Sequence, residues 1–207
     1  KKGPGVSKLT DLKIKHKERV FLLRGNHEFE VLNKKYGFYQ EVREFSGDEE
    51  VWKAYSRFFE LLSVAVLIDQ HILILHGGIP EIWKVSDLEF IPKGLQFGEN
   101  KFLDQTVWND YLPQKSAELT GVRGVENAFS LGEEEFTTVL NVLKVGKLIR
   151  GHQPSVKGVM FEGRCITLQT NERYKEYPKE ENAFLKGFKG KLIVKVNKGE
   201  VEVVKLE

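Results

Sequence analysis

FLLRGNHE, residues 21–28, is the most informative segment of this chain. The apolar run Arg19–Arg24 predicts a buried β-strand, and the glycine that follows ends it. Asn26 and His27 then stand just beyond the strand end, and a helix is predicted from Glu28 to Tyr36. In open α/β sheets, ligands bind beyond the carboxyl ends of strands. The segment therefore predicts one edge of a ligand-binding site.

The same arrangement occurs twice more. The predicted strand His71–Leu75 runs into His76-Gly77-Gly78, and the predicted strand Lys147–Arg150 runs into Gly151-His152. We expect the three strand ends to converge, because glycine permits close backbone approach and each donor follows a rigid strand. Two imidazole nitrogens with the Asn26 amide oxygen suit Mn, Fe or Zn better than Ca.

The rest of the chain mixes helical and strand patterns, which predicts an α/β fold. Helical spacing of apolar residues predicts helices at about Glu49–Leu62 and at Phe136–Val145. Val64–Ile68 forms a predicted hairpin with the next strand, and residues 80–113 are predicted to be long loops with short helical turns. The later part alternates as strands do, at Val159–Phe161, Ile166–Leu168, Leu192–Val196 and Val201–Val204.

Composition limits the classes of function. With 207 residues and 41% hydrophobic content, the chain can form one globular domain, which excludes overall disorder. Lys+Arg 32 against Asp+Glu 30 gives a net charge of +2, so we expect no nucleic-acid partner. We expect no membrane either, since no apolar run approaches about 20 residues. The single cysteine, Cys165, favours a reducing, cytoplasmic compartment.

The motifs together resemble a known family. FLLRGNHE is similar to the GNHE box of the metal-dependent serine/threonine phosphoprotein phosphatases, which have the calcineurin-like metallophosphoesterase fold. His76-Gly77-Gly78 resembles their second box, and residues 150–153 resemble their third. Trp108-Asn109-Asp110 stands where the family has a Trp-Ser-Asp turn, with Asn109 as a departure. Arg123-Gly124-Val125 resembles the segment that carries a phosphate-binding arginine.

The resemblance implies a single catalytic domain over residues 1–207, with two mixed β-sheets packed as a sandwich and flanked by helices. Two earlier boxes of the family, Gly-Asp-x-His-Gly and Gly-Asp-x-x-Asp-Arg-Gly, do not occur in this sequence. The chain begins at Lys1, and its only methionine is Met160. We therefore expect a domain that lacks its first strands and helices and holds at most one well-formed half of a two-metal site.

The resemblance also assigns residues to roles. It implies that Asn26, His76 and His152 bind one of two divalent ions (Mn, Fe or Zn). His27 would be the general acid that protonates the leaving serine or threonine oxygen, and Arg123 would hold the phosphate oxygens. The family's active-site tyrosine would correspond to Tyr174, with Tyr177 as the alternative.

The implied reaction is hydrolysis of phosphoserine and phosphothreonine in proteins, with a metal-bound hydroxide attacking phosphorus in line. The implied partners are phosphoprotein substrates and a regulatory subunit. Two other hypotheses stay open from the residues alone. One is hydrolysis of a dinucleoside polyphosphate or another small phosphoester at the same site. The other is a non-catalytic remnant that binds a partner.

Overall fold

The computed structural model describes residues 5–171 and 191–206. Its α-helices are α1 Gly5–Lys15, α2 Glu30–Lys35, α3 Phe38–Ser46, α4 Glu49–Glu60, α5 Lys101–Trp108 and α6 Glu133–Leu143. Its strands are β1 Ala65–Ile68, β2 Ile72–Leu75, β3 Asp110–Tyr111, β4 Glu118–Thr120, β5 Phe129–Leu131, β6 Lys147–Arg150, β7 Gly158–Met160, β8 Cys165–Thr167, β9 Lys191–Asn197 and β10 Glu200–Leu206. Short 3-10 turns lie at Val85–Phe90, Val122–Gly124 and Pro154–Val156.

A five-stranded mixed sheet, in the order β1-β2-β6-β8-β7, forms the centre of the fold. Strands β2, β6 and β8 are parallel, and β1 and β7 pair antiparallel at the two edges. The predicted β1–β2 hairpin is confirmed. Asp69 and Gln70 both have positive φ angles, 51° and 56°, as in a type I′ turn. Because Ile68 pairs with Ile72, the loop contains His71 as well.

The two faces of this sheet bury different sets of side chains, because alternate residues of a strand point to opposite faces. Leu73, Leu75 and Leu148 pack into the main core beneath the helices. Ile72 and Ile149 face the other way, against valines of the antiparallel β9–β10 hairpin. The α/β fold with two layers of sheet is thus confirmed, and the second layer is two-stranded in the described ranges. A third, small sheet has the order β3-β5-β4.

The prediction of a buried strand at Arg19–Arg24 is wrong for the part of the chain that the structure describes. A single bridge joins Leu23 to Ser63, and the Arg24 amide donates to the Ser63 carbonyl (2.8 Å). Phe21 is 66% exposed. An apolar run forms a strand only where a neighbour pairs with its backbone, and the described residues supply that neighbour at one point only.

Helix α5 lies within residues 80–113, where the sequence predicted loops and short turns. The Asn100 side chain caps it by accepting from the Leu103 amide (3.0 Å). Its polar residues Asp104, Gln105 and Thr106 are as buried as its apolar ones. A helix buried on all sides has no apolar stripe, so hydrophobic periodicity could not reveal it. No helix in the described ranges is long and apolar enough to cross a membrane.

Candidate active site

The parallel pairing of β2 with β6 brings two of the predicted strand ends together. Ile72 pairs with Lys147 and Ile74 with Ile149, so the two strands stop side by side. The Gly151 amide donates to the His76 carbonyl (3.0 Å) across the gap that follows. His76 and the neighbouring His152 therefore stand at the same edge of the sheet.

Gly25 brings the third predicted strand end to the same place. Its amide donates to Oε2 of Glu28 (2.8 Å), which closes the loop on itself. A Cβ atom on Gly25 would lie 2.9 Å from Nδ1 of His76, so only glycine lets the loop approach this closely. Burial raises the pKa of Glu28. The tight loop aims Asn26 at the histidines.

Asn26, His76 and His152 form one cluster, as the sequence predicted. Oδ1 of Asn26 lies 2.9 Å from Nε2 of His76, and the rings of His76 and His152 are 5.1 Å apart between centroids. Burial, together with the nearby positive charges of Arg150 and Arg123, lowers the pKa of His76 to about 3. Burial and the same charges lower the pKa of His152 well below its usual range. Both imidazoles are therefore neutral, which is the form that binds metal ions.

The cluster has the donors for one divalent cation. Nε2 of His152 is buried without a hydrogen-bond partner in the described residues, and an unpartnered buried ring nitrogen calls for a ligand. Two imidazole nitrogens and an amide oxygen suit a first-row transition metal. Within residues 5–171 and 191–206 there is no group of three or more His, Cys, Asp or Glu side chains that could hold a metal. The described residues thus fit one neutral half-site and no charged one.

His27 lies at the mouth of the same cleft, one residue beyond Asn26. Its ring stacks on Tyr36 of the α2 C-terminus at 4.4 Å between centroids, with 25° between the planes. Desolvation by the surrounding protein lowers the pKa of His27, although the side chain reaches solvent. The stacking on Tyr36 restrains the ring. This contact was not predicted, since its only signal in the sequence was an aromatic residue at the end of a predicted helix.

Arg123 reaches the cleft from a separate loop. Its backbone has a positive φ of 56°, which is uncommon for a residue with a side chain. Its Nε donates to Oδ2 of Asp110 (2.6 Å). The Arg123 side chain is 38% exposed, whereas that of Asp110 is 5% exposed. The buried Asp110 carboxylate thus holds the guanidinium of Arg123 at the wall of the cleft.

Asp110 and Arg150 are site residues to which the sequence analysis assigned no role. Oδ1 of Asp110 accepts from Nη2 of Arg150 (3.3 Å) and lies 3.6 Å from Nε2 of His152. Arg150 is fully buried and also donates to Oε1 of Gln153 (2.8 Å) and to the Gly77 carbonyl. The only signal in the sequence was that both residues belong to motifs, Trp108-Asn109-Asp110 and residues 150–153.

These residues border a cleft of about 840 Å³. Its wall comprises Asn26, His27, Tyr36, His76, Trp108, Arg123, Gly151, His152, Pro154, Ser155, Leu168, Gln169, Thr170 and Asn171. None of the described lining residues is a carboxylate, so the cleft favours an anion. Tyr174 and its alternative Tyr177 lie outside the described residues.

Comparisons with known proteins show what this chain is similar to. The family model for calcineurin-like phosphoesterases matches residues 3–156. A catalytic subunit of protein phosphatase 2A from Dictyostelium discoideum is 30% identical over 172 residues, covering 82% of this chain and 54% of that protein. The catalytic subunit of serine/threonine-protein phosphatase 6 from Drosophila melanogaster is 28% identical over 171 residues, covering 81% and 55%.

A solved structure has the same fold. It is a protein serine/threonine phosphatase from Saccharomyces cerevisiae with similarity to human phosphatase PP5. It superposes with a TM-score of 0.74 at 22% identity, covering 96% of this chain and 64% of that one. The fold is that of a metallophosphoesterase. The chain belongs to the calcineurin-like phosphoesterase family, a family that implies divalent metal ions. It spans about half the length of the two phosphatase relatives.

Proposed function

We propose that this chain carries part of the active site of a metal-dependent protein serine/threonine phosphatase. One observation carries the proposal: a single cleft collects the Asn26–His76–His152 cluster, His27 and Arg123 from separate segments of the chain. Each of these residue types meets one need of phosphoester hydrolysis. The names of the phosphatase relatives support proteins as the substrate class.

Asn26, His76 and His152 would hold one of two divalent ions, Mn, Fe or Zn. When bound, such ions polarise a phosphoryl oxygen and lower the pKa of a water molecule that attacks phosphorus. The three ligands are neutral, so they leave the charge of the ion undiminished for an anionic substrate. The described residues offer at most this half of a two-metal site.

Arg123 would bind the phosphate oxygens. A guanidinium is planar and can donate two parallel hydrogen bonds to a phosphate. Its Nε is already engaged with Asp110 (2.6 Å), and Arg123 is part of the cleft wall, so its terminal nitrogens would make these bonds. The described cleft wall has no carboxylate, and the Asp110 carboxylate that holds Arg123 is buried.

His27 would protonate the oxygen of the departing serine or threonine. A general acid must carry its proton and must reach the leaving atom. Desolvation lowers the pKa of His27, and the negative charge of a bound phosphate would favour the protonated ring. His27 stands at the cleft mouth next to Asn26 and is restrained by Tyr36, so its ring can meet a leaving group that points to solvent. The serine or threonine side chain of a protein substrate would depart toward the solvent.

The proposal also includes a regulatory partner and a cellular compartment. A regulatory subunit would direct the enzyme to its substrates, as we expect from the family resemblance. A reducing cytoplasmic compartment is supported by the lone, buried thiol of Cys165. These parts are independent of the chemistry in the cleft.

The test is hydrolysis by the natural gene product, with Mn²⁺ supplied, of a phosphoserine peptide and of a dinucleoside tetraphosphate. We expect the peptide to be cleaved faster, and Arg123→Lys to lose activity by about 10²-fold, the scale of one lost transition-state donor. Arg164→Lys is the matched control, since Arg164 donates to Thr137 away from the cleft. Faster cleavage of the tetraphosphate would assign a small phosphoester, and cleavage of neither would favour a non-catalytic binding protein.

A further inference from the structure

Asn109 occupies the centre of the site's framework, in the segment that resembles the family's Trp-Ser-Asp turn. It is 1% exposed and follows helix α5 directly. A Cβ atom on Gly78 would lie 2.7 Å from Cβ of Asn109, so the residue packs against the glycines that follow His76. Asn109 is not part of the cleft wall, so any effect it has on a bound ligand must act through its neighbours.

The amide of Asn109 joins two segments of the site. Its Nδ2 donates to the Ile79 carbonyl (3.0 Å), in the segment that follows His76. Its Oδ1 accepts from the Phe129 amide (3.0 Å), at the start of β5. The two partners fix the orientation of the amide, since one is an acceptor and the other a donor. The backbone carbonyl of Asn109 also accepts from Nη2 of Arg150 (3.1 Å).

The Phe129 amide lies at the base of the turn that carries Arg123. The Val122 amide donates to the Ala128 carbonyl (3.3 Å), and the Ala128 amide donates to the Val125 carbonyl (3.0 Å), so the turn closes immediately before Phe129. Arg123 is left-handed within this turn. A residue with a side chain keeps such a backbone only when its surroundings hold it there.

Two consecutive residues, Asn109 and Asp110, therefore hold the backbone turn and the side chain of Arg123. Asn109 holds the base of its turn through Phe129, and Asp110 holds its guanidinium through Nε (2.6 Å). We infer that Asn109 is a positioning residue that orients Arg123 toward a bound phosphate group. The inference rests on the proposed function, in which Arg123 binds phosphate.

A serine in this place could not do the same. Its hydroxyl oxygen is bonded directly to Cβ, whereas the donor and acceptor of asparagine lie one bond further out. A hydroxyl can donate and accept, but both bonds then meet at one oxygen, whereas the asparagine amide serves its two partners with two separate atoms. Asn109→Ser would therefore lose at least one of the two connections and leave a buried carbonyl or amide without its partner.

The experiment is a chemical-shift titration of the chain with inorganic phosphate. The wild type, Asn109→Ser, Arg123→Gln and Asn33→Ser are compared, and the Nε–H signal of Arg123 is followed as well. Asn33 is the matched control. It is a buried amide on α2 that accepts from Trp52 and donates to Ser56 of α4, and it is not part of the cleft wall.

We expect Asn109→Ser to raise the Kd for phosphate about tenfold, which corresponds to about 1.4 kcal/mol, and to speed the solvent exchange of the Arg123 Nε–H. Asn33→Ser should leave both unchanged. An unchanged Kd and Nε–H signal in Asn109→Ser overturns the inference, as does an equal change in Asn33→Ser. An unchanged Kd in Arg123→Gln overturns the proposed phosphate-binding role itself. If Asn109→Ser fails to fold, hydrogen exchange of the Phe129 amide, which donates to Asn109, is measured in the wild type: free exchange overturns the inference, and protected exchange supports it.

Discussion

Nε of Arg123 lies 2.6 Å from Oδ2 of Asp110, and the other oxygen of the same carboxylate faces Arg150 (3.3 Å) and His152 (3.6 Å). One buried carboxylate thus connects the residue proposed to bind phosphate with the third box of the family and with a proposed metal ligand. Charge-assisted hydrogen bonds of this kind fix both distance and direction. The relative position of Arg123 and the histidine cluster depends on Asp110.

Asp110→Asn should weaken both the site and the fold. The amide keeps the size of the carboxylate but removes the negative charge between two guanidinium groups. We expect the free energy of unfolding to fall by about 1.5–3 kcal/mol, the usual worth of a hydrogen bond to a charged group, and phosphate affinity to fall with it. Chemical denaturation and a phosphate titration measure the two effects. Asp87→Asn, which alters a capping carboxylate at Trp83 and Lys84, should change stability only.

His27→Asn should lower turnover by about 10²–10⁴, the range for loss of a general acid. The metal content should stay at the wild-type level, because His27 is outside the Asn26–His76–His152 cluster. Steady-state kinetics and metal analysis of the natural gene product check both halves. His16→Asn is the control, since His16 is exposed and remote from the cleft wall. Loss of metal in His27→Asn would make His27 a ligand and contradict its assignment as the acid.

Gly77→Ala should destabilise the fold. A Cβ atom at Gly77 would lie 2.5 Å from the Val107 carbonyl carbon and 2.7 Å from the Trp108 amide nitrogen, both of them backbone atoms that cannot move independently. Overpacking of this kind costs about 1–3 kcal/mol or more. Gly5→Ala meets nothing within 4 Å and should leave the Tm unchanged or raise it. Equal melting temperatures for the two variants would show that the backbone around Gly77 yields easily.

The thiol of Cys165 should be inert in the folded protein. Burial raises its pKa from the ordinary value of 9.0 to about 12. Between these values the unfolded chain loses a proton that the folded chain keeps, so this group lowers stability as the pH rises from 9 toward 12 and has no effect below that window. A disulfide reagent that modifies free thiols, used at about pH 8 and so below the ordinary thiol pKa, should react with Cys165 only at the rate at which the protein unfolds. Rapid reaction in native buffer would contradict the burial.

The convergence of the strand ends was predictable because its signal is local. Each predicted strand end consists of an apolar run next to a glycine and a side chain that could bind a metal ion. The parallel pairing of β2 with β6 then brings His76 and His152 together. The run Arg19–Arg24 has the same local pattern, yet it forms only one bridge in the described part of the chain. Pairing depends on a neighbour elsewhere in the chain, and periodicity cannot report what lies beside a strand.

The supporting framework was not predictable in the same way. Asp110 contacts Arg150 across a separation of 40 residues, and Gln153 contacts Tyr111 across 42 residues. Nothing in the composition of these segments indicates those contacts. A polar residue such as Asn109 is typical of an exposed position, and its burial follows only from its hydrogen-bond partners. The family motifs located these segments, and the structure supplied the connections.

X-ray absorption of the zinc-loaded chain tests the assignment of the metal centre most directly, because it reports the metal's own ligands. We predict two imidazole nitrogens at about 2.0–2.1 Å, with oxygen as the other donor and no sulfur. In His152→Ala one of the two imidazole contributions should disappear, whereas His71→Ala, which alters an exposed turn residue, should leave the spectrum unchanged. An identical spectrum in His152→Ala, or a spectrum without imidazole, would contradict the assignment of this cleft as the metal centre.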